Sequence, residues 1–343
     1  MRKLLNTLYV TLPEAYLSLD GENVVVVEGE EEKLRVPLHN LEQIVTFGYT
    51  GASPALMGTC ASHGVDLCFM TVHGRFLARV SGETHGNVVL RTTQYQLFTD
   101  ESFSLQIARD IISAKLANSR WVMERTLRDH PMRVDTELLH AASDRLQKEI
   151  TDVRNAKSID QLRGMEGTAA SEYFGTFSEL IINQRESFTF DTRNRRPPLD
   201  PVNALLSFAY ALLSNDVKAA LETVGLDPYV GFMHTLRPGR PSLALDLMEE
   251  LRAPIADRFV LTLINQKAIT ASGFTKTESG AVRMDDETRK KVLIAWQTRK
   301  QESITHPFLK EKLPWGLVPF AQALLLARYL RGDLDAYPVF LWK

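Results

Sequence analysis

Residues 227–257 read DPYVGFMHTLRPGRPSLALDLMEELRAPIAD. The block places His234 ahead of a loop rich in proline and glycine, then opens a helix that carries acids. Ser242 is a residue type suited to capping that helix. From Leu243 onward the apolar residues Leu247, Met248, Leu251, Ile255 and Phe259 recur at helical spacing. Asp246, Glu249, Glu250 and Asp257 fall on the other side, within roughly a quarter to a third of the wheel at about 100° per residue. Two readings stand side by side: an ordinary solvated acidic face, or a histidine and several carboxylates converging on one point.

Upstream, residues 158–177 read SIDQLRGMEGTAASEYFGTF. Ser158 with Gln161 forms a capping box, so a helix starts there. Leu162, Met165, Ala169 and Tyr173 share one face, and Glu166 sits among them. A carboxylate on a packed helix face must be paired with a cation or bound to a metal. The small residues Gly164, Gly167, Ala169 and Ala170 around it predict close packing by a neighbour.

Ordinary globular composition, 44% hydrophobic and 24% charged over 343 residues, supports a sizeable core and two domains. A net charge of −2 gives no general affinity for nucleic acid, so any such role rests on local basic patches. The two cysteines, Cys60 and Cys68, form no CxxC pair, which points away from a zinc site or disulfide scaffold and toward a reducing, cytoplasmic setting. The opening MRKLLNTLYVTL imitates a signal peptide, but Asn6, Thr7 and Tyr9 interrupt its apolar run and no small-residue cleavage site follows. No apolar run is long enough for a membrane span.

Residues 1–81 read as β. Short runs at 4–11, 15–19, 24–28, 33–37, 43–47, 66–72 and 76–80 alternate with turn signals, Asp20-Gly21-Glu22-Asn23 among them. A capped helical stretch at 53–63 interrupts them, and a small β-sandwich is expected. Residues 82–86 read as a linker, and 87–343 as an all-helical domain with helices near 106–127, 136–153, 199–221, 287–298 and 308–331. The fold class is therefore α+β, a small N-terminal β-sandwich followed by a larger all-α catalytic domain.

Basic clusters lie in the helical part. One holds Arg185, Arg193, Arg195 and Arg196 beside Phe188, Phe190 and Pro197-Pro198, and another holds Arg237 and Arg240 beside His234. A run at Arg289, Lys290, Lys291, Arg299 and Lys300 reads as a solvated helix face. Arginine-rich loops next to an acidic cluster suit a phosphodiester substrate, with cations for its phosphates and carboxylates for an ion.

Three stretches carry a family resemblance: GMEGTAASEYF with Glu166, RNRRPPLDPVNALLSFAYALL with Asn203, and GFMHTLRPGRPSLALDLMEELRAPIAD with His234. Together they resemble the CRISPR-associated Cas-one family of spacer acquisition, in a form similar to that of type I-C systems. The resemblance implies a metal-dependent DNA endonuclease and integrase. It would join prespacer 3′-hydroxyl ends to CRISPR repeat DNA by transesterification. It implies Mg²⁺ or Mn²⁺ held by Glu166, His234 and Glu249, with Asp246 a further catalytic acid; the family more often has Asp at the Glu249 position. It also implies a homodimer formed through the β domain and assembly with a dimer of the smaller Cas-two protein. Arg193, Arg195, Arg196, Arg237 and Arg240 are the expected contacts to double-stranded DNA, and Asn203 is expected to be structural near the site. The competing readings are a non-catalytic DNA-binding scaffold of the same fold and a metal-dependent hydrolase of small substrates.

Overall fold

The computed structural model describes residues 6–72, 76–80, 82 and 88–342. The turn expected at 73–75 and most of the linker expected at 82–86 lie outside the described residues. By contact, the described residues form two compact units. One combines those among 1–85 with 284–301, and the other those among 86–283 with 302–343.

In the first unit, β1 (Thr7–Val10), β5 (Gln43–Phe47), β6 (Asp66–Met70) and β7 (Phe76–Val80) form a four-stranded sheet in the order β1-β5-β6-β7. A second, antiparallel sheet holds β2 (Tyr16–Asp20), β3 (Asn23–Glu28) and β4 (Glu31–Pro37). Gly21, at φ 59°, supplies the left-handed residue that the β2–β3 turn needs. The two sheets share one core, with Leu17, Val24 and Val26 from one meeting Ile44 and Leu67 from the other. The larger sheet departs from the simple sandwich expected, because β1, β5 and β6 pair in parallel. Parallel neighbours need a crossover. The helix α1 (Pro54–His63) provides it, capped by Ser53 at one end and closed by Gly64 at φ 66° at the other.

The second unit is built from α2 (Val88–Thr99), α3 (Glu101–Asp129), α4 (Thr136–Arg154), α5 (Ile159–Gly175), α6 (Pro201–Val224), α7 (Ser242–Leu251) and α8 (Arg258–Asn265). A π-helical turn, Arg252–Asp257, joins α7 to α8. Between α8 and the end of the description come α9 (Asp286–Gln301) and α10 (Val318–Leu330). Helical periodicity had placed α9 with the other helices, but it groups with the β-rich unit; periodicity reports a helix and is silent on which layer receives its apolar face. Its Arg289 and Lys300, expected in solvent, are buried. Two short hairpins also fall where only helix was expected: β8 (Phe274–Lys276) with β9 (Val282–Met284), and β10 (Ser303–Thr305) with β11 (Lys312–Pro314). Strands of three residues are too short to show an alternation.

Candidate active site

The site begins with Asp246, which is fully buried in the second turn of α7. Its Oδ2 accepts the backbone N–H of Phe232 at 2.6 Å and of Met233 at 3.0 Å. Its Oδ1 accepts the N–H of His234 at 3.0 Å and faces His234 Nδ1 at 2.6 Å. One carboxylate thus folds the 231–234 loop onto the helix. The loop comes so close that a Cβ on Gly231 would lie 2.5 Å from Asp246 Oδ2 and 2.6 Å from the backbone of Ser242. Ser242 itself does not cap α7; its hydroxyl donates to Thr235 O at 3.2 Å, tying down the other side of the loop. A carboxylate opposite Nδ1 makes that nitrogen the donor and turns Nε2 away from Asp246. Asp246 therefore orients the imidazole and has no oxygen turned toward a shared ion.

Glu249, one turn on, is the acid that His234 Nε2 faces, at 3.9 Å from Oε1. Its side chain is only 3% exposed, and Arg252 Nη2 lies 3.0 Å from Oε1. Lys115 Nζ, from α3, lies 2.7 Å from Oε2. Burial opposes the charge on Glu249, yet Arg252, Lys115 and His234 outweigh it and hold the carboxyl well below the usual carboxylate range. The same Lys115 ammonium also contacts Glu166 Oε1 on α5. Glu166 is not on a packed face as expected: its side chain is 25% exposed. Gly164 and Gly167 beside it have open space where a Cβ would stand. That side of α5 is therefore uncovered by the chain itself.

Glu166 and Glu249 thus meet on Lys115, and His234 Nε2 faces Glu249, while the other acids of the block diverge. Glu250, fully buried, turns the opposite way. Its Oε1 accepts Tyr337 Oη at 2.5 Å and Gln322 Nε2 at 2.9 Å, and its Oε2 accepts the Phe340 N–H at 2.7 Å. Burial raises its pKa to about 7 despite these donors. Asp257 accepts Tyr210 Oη at 2.6 Å, and burial raises its pKa to about 6. The four acids that a wheel places on one solvated arc are all buried and serve separate partners. The π-turn after Leu251 is one cause, since it rotates the residues beyond it out of α-helical register.

The arginines also separate. Arg193 donates through Nη1 to Asn203 Oδ1 at 2.6 Å and through Nη2 to Ser207 Oγ at 3.2 Å. Its guanidinium stands 5.3 Å from the Tyr210 ring centroid, and that of Arg252 stands 5.1 Å from the same centroid. Asn203, fully buried, also accepts the Asn194 N–H at 3.0 Å and donates to Thr192 O at 2.8 Å. It clamps the arginine loop onto the start of α6. Arg195, Arg196 and Arg237 are exposed, and Arg240 is half-buried.

Sequence reading passed over Lys115, Arg252 and Tyr210, because each matters only through a partner far away in the chain. Among the described residues, no three His, Cys, Asp or Glu side chains are gathered for a metal as they stand. Lys115 is lodged between the two glutamates instead.

The family model described as CRISPR associated protein Cas1 matches residues 8–298. The CRISPR-associated endonuclease Cas1 1 of Chlorobaculum tepidum is 48% identical over 343 residues, covering 100% of both chains. The CRISPR-associated endonuclease Cas1 2 of Rhodospirillum rubrum is 50% identical over 347 residues, again covering 100% of both. In fold, the chain superposes on a casposase bound to integration product with a TM-score of 0.83 at 24% identity, covering 96% of this chain and 92% of that one. A CAS1 protein from Thermotoga maritima gives a TM-score of 0.81 at 21% identity, with 98% and 100% covered. The Cas1 part of a Cas6-RT-Cas1–Cas2 complex gives 0.82 at 24% identity, covering 98% of this chain and 36% of that one. The described helices include none long and apolar enough to cross a membrane. The matched span and the full-length relatives place this chain in the CRISPR associated protein Cas1 family.

Proposed function

We propose that the chain is a metal-dependent DNA endonuclease and integrase of CRISPR spacer acquisition, working in the cytoplasm. It would join prespacer 3′-hydroxyl ends to repeat DNA, in a system of type I-C form. The observation that carries this reading is the convergence of Glu166 and Glu249 on one ammonium, with His234 Nε2 aimed at the same carboxylate.

The donor set suits Mg²⁺ or Mn²⁺, with two carboxylates and one imidazole. Glu249 Oε2 is a buried oxygen with no hydrogen-bond donor in good geometry, although Lys115 sits beside it. His234 carries the carboxylate–imidazole support typical of a metal ligand. Glu166, His234 and Glu249 would hold the ion, and once bound it would polarise the scissile phosphate and stabilise the attacking and leaving oxygens. Asp246 holds Nδ1 and so orients Nε2, Arg252 pins one oxygen of Glu249, and Glu166 stands at the open edge where DNA would arrive.

Arg195, Arg196, Arg237 and Arg240 would hold DNA phosphates around that edge, with Arg193 and Asn203 keeping the loop in shape. A homodimer through the β-rich unit and assembly with a Cas2 dimer complete the proposal; a Cas6-RT-Cas1–Cas2 complex among similar folds supports the second of these.

One observation favours the second reading, a DNA-binding scaffold without catalysis: Lys115 and Arg252 already pair with the acids, as in a structural network. Calorimetric titration with Mn²⁺, together with strand joining of a short duplex into a repeat-bearing plasmid, separates the two. Metal binding and joining in wild type, both lost in Glu166→Gln and His234→Ala, support the enzyme. Absence of both in wild type supports the scaffold.

A further inference from the structure

We infer that a second, arginine-lined groove on the helical unit binds the phosphodiester backbone of DNA flanking the reacting phosphate. The groove, about 440 Å³ in volume, runs between the last third of α3 and α8, and Arg125, His130, Arg133, Arg258, Thr262 and Gln266 line it. Asp129 is the one carboxylate among its lining residues, and it is shared by two guanidinium groups, with Arg125 Nε at 3.4 Å and Arg128 Nε at 2.8 Å. Arg133 donates through Nη2 to Ile182 O at 2.6 Å and Asn183 Oδ1 at 2.9 Å. Both acceptors are neutral, so they fix that guanidinium without cancelling its charge. Arg258 stands 4.1 Å and Arg125 5.6 Å from the ring centroid of the buried Trp342, which orders both forks before any ligand arrives. Pre-ordered guanidinium forks around a polar groove match phosphate oxygens.

The position of the groove selects DNA over other polyanions. The segments α3 and α7–α8 lie alongside in the same direction: Lys115 meets Glu249, Asn118 Nδ2 donates to Glu250 O at 2.7 Å, and both segments go on to wall the groove. Lys115, Val122, Thr126 and Asp129 fall within about 60° on the α3 wheel, and Arg125 lies about 15 Å beyond Lys115 along the axis. A DNA strand advances about 3.4 Å per nucleotide, so the groove stands about four to five base pairs from the candidate active site. The inference rests on the nuclease and integrase reading for what the DNA is doing there, and adds a contact that reading does not contain.

The test uses the full chain and branched duplexes whose arm past the junction is about three or about twelve base pairs, chosen to fall short of or span the separation above. Affinity is read by fluorescence anisotropy between about 50 and 200 mM salt. Arg125→Gln/Arg133→Gln should bind the long-arm DNA about tenfold more weakly, with a log–log salt slope shallower by about two, and the short-arm DNA as wild type does. Arg125→Glu alone, which leaves the Arg133 bonds intact, should reproduce most of the loss. Equal losses on both arms, or none on the long arm, would overturn the inference. So would an acidic peptide that competes for this groove better than DNA does. Strand joining by the wild-type chain keeps the two failures apart: an arm-length effect without any joining in wild type leaves the groove standing and removes the catalytic reading.

Discussion

Lys115 Nζ stands 2.7 Å from Glu249 Oε2, inside the site and not at its rim. Two unit charges about 4 Å apart interact by about 4 kcal/mol at an effective dielectric of about 20, so this ammonium and a divalent ion compete for the same oxygens. Lys115→Met should therefore bind Mn²⁺ at least tenfold more tightly by calorimetry, while its melting point in chelator falls by several degrees. Unchanged metal affinity would show that the lysine and the ion do not share a position.

Asp246 separates orientation from ligation. Asp246→Ala strands three backbone N–H groups and should cost about 3 kcal/mol in denaturant unfolding. Asp246→Asn retains an acceptor but removes the anion opposite Nδ1, so it should melt closer to wild type while strand joining and Mn²⁺ affinity fall about 10–100-fold.

Gly231 tests how tightly the histidine loop is folded. Its Cβ would meet Asp246 Oδ2 at 2.5 Å and Leu243 N at 2.7 Å, neither able to retreat, because the first is held by the Phe232 and Met233 N–H groups and the second donates to Pro228 O at 3.0 Å. Gly231→Ala should destabilise by about 1–3 kcal/mol and should also weaken Mn²⁺ binding, because the strain reaches His234 first. A fully stable variant with normal metal affinity would contradict the described loop.

Asp257 gives a pH signature away from the metal ligands. Its folded pKa is about 6 against 3.8 unfolded. Between those values the folded chain binds more protons, so stability falls as pH rises through this window, and the loss is complete above about 6. Asp257→Asn should remove this residue's share of the slope, leaving that of Glu250, whose pKa is raised from 4.5 to about 7, and should gain at most about 2–3 kcal/mol at pH 8, with no gain below about pH 4. Denaturant melts of both proteins at matched salt check it.

Arg237 and Arg193 should behave oppositely. Arg237→Ala/Arg240→Ala, on an exposed loop, should flatten the salt dependence of DNA binding by about one charge each and leave unfolding within about 0.5 kcal/mol. Arg193→Ala breaks bonds to Asn203 and Ser207, so its main effect should be a lower melting point. A full one-charge change in slope without destabilisation at Arg193 would assign it to DNA directly.

Local chemistry was legible wherever its partners lay within a few residues. Ser53 caps α1 as read, β5 and β7 begin and end as expected, and Ser158 caps α5. Glu166, His234 and Glu249 were picked out as one set; the structure puts both glutamates on Lys115 and His234 opposite Glu249, and among the described residues it does not gather the three as ligands. What stayed hidden was the distant partner of each acid. A helical wheel cannot say that Glu250 meets Tyr337, that Asp257 meets Tyr210, or that Lys115 reaches two acids at once. It therefore places on one arc four acids that the chain buries against different partners.

The stretch around Tyr337, Phe340 and Trp342 has no regular structure, yet it closes the wall behind α7. Phe340 N–H serves Glu250, and Asn118 Nδ2 binds Phe340 O at 2.7 Å while its Oδ1 accepts the Trp342 N–H at 2.9 Å. Tyr337 and Phe340 supply two of the donors to the buried Glu250, so the helices by themselves do not complete this core: it closes only when an irregular stretch docks behind them.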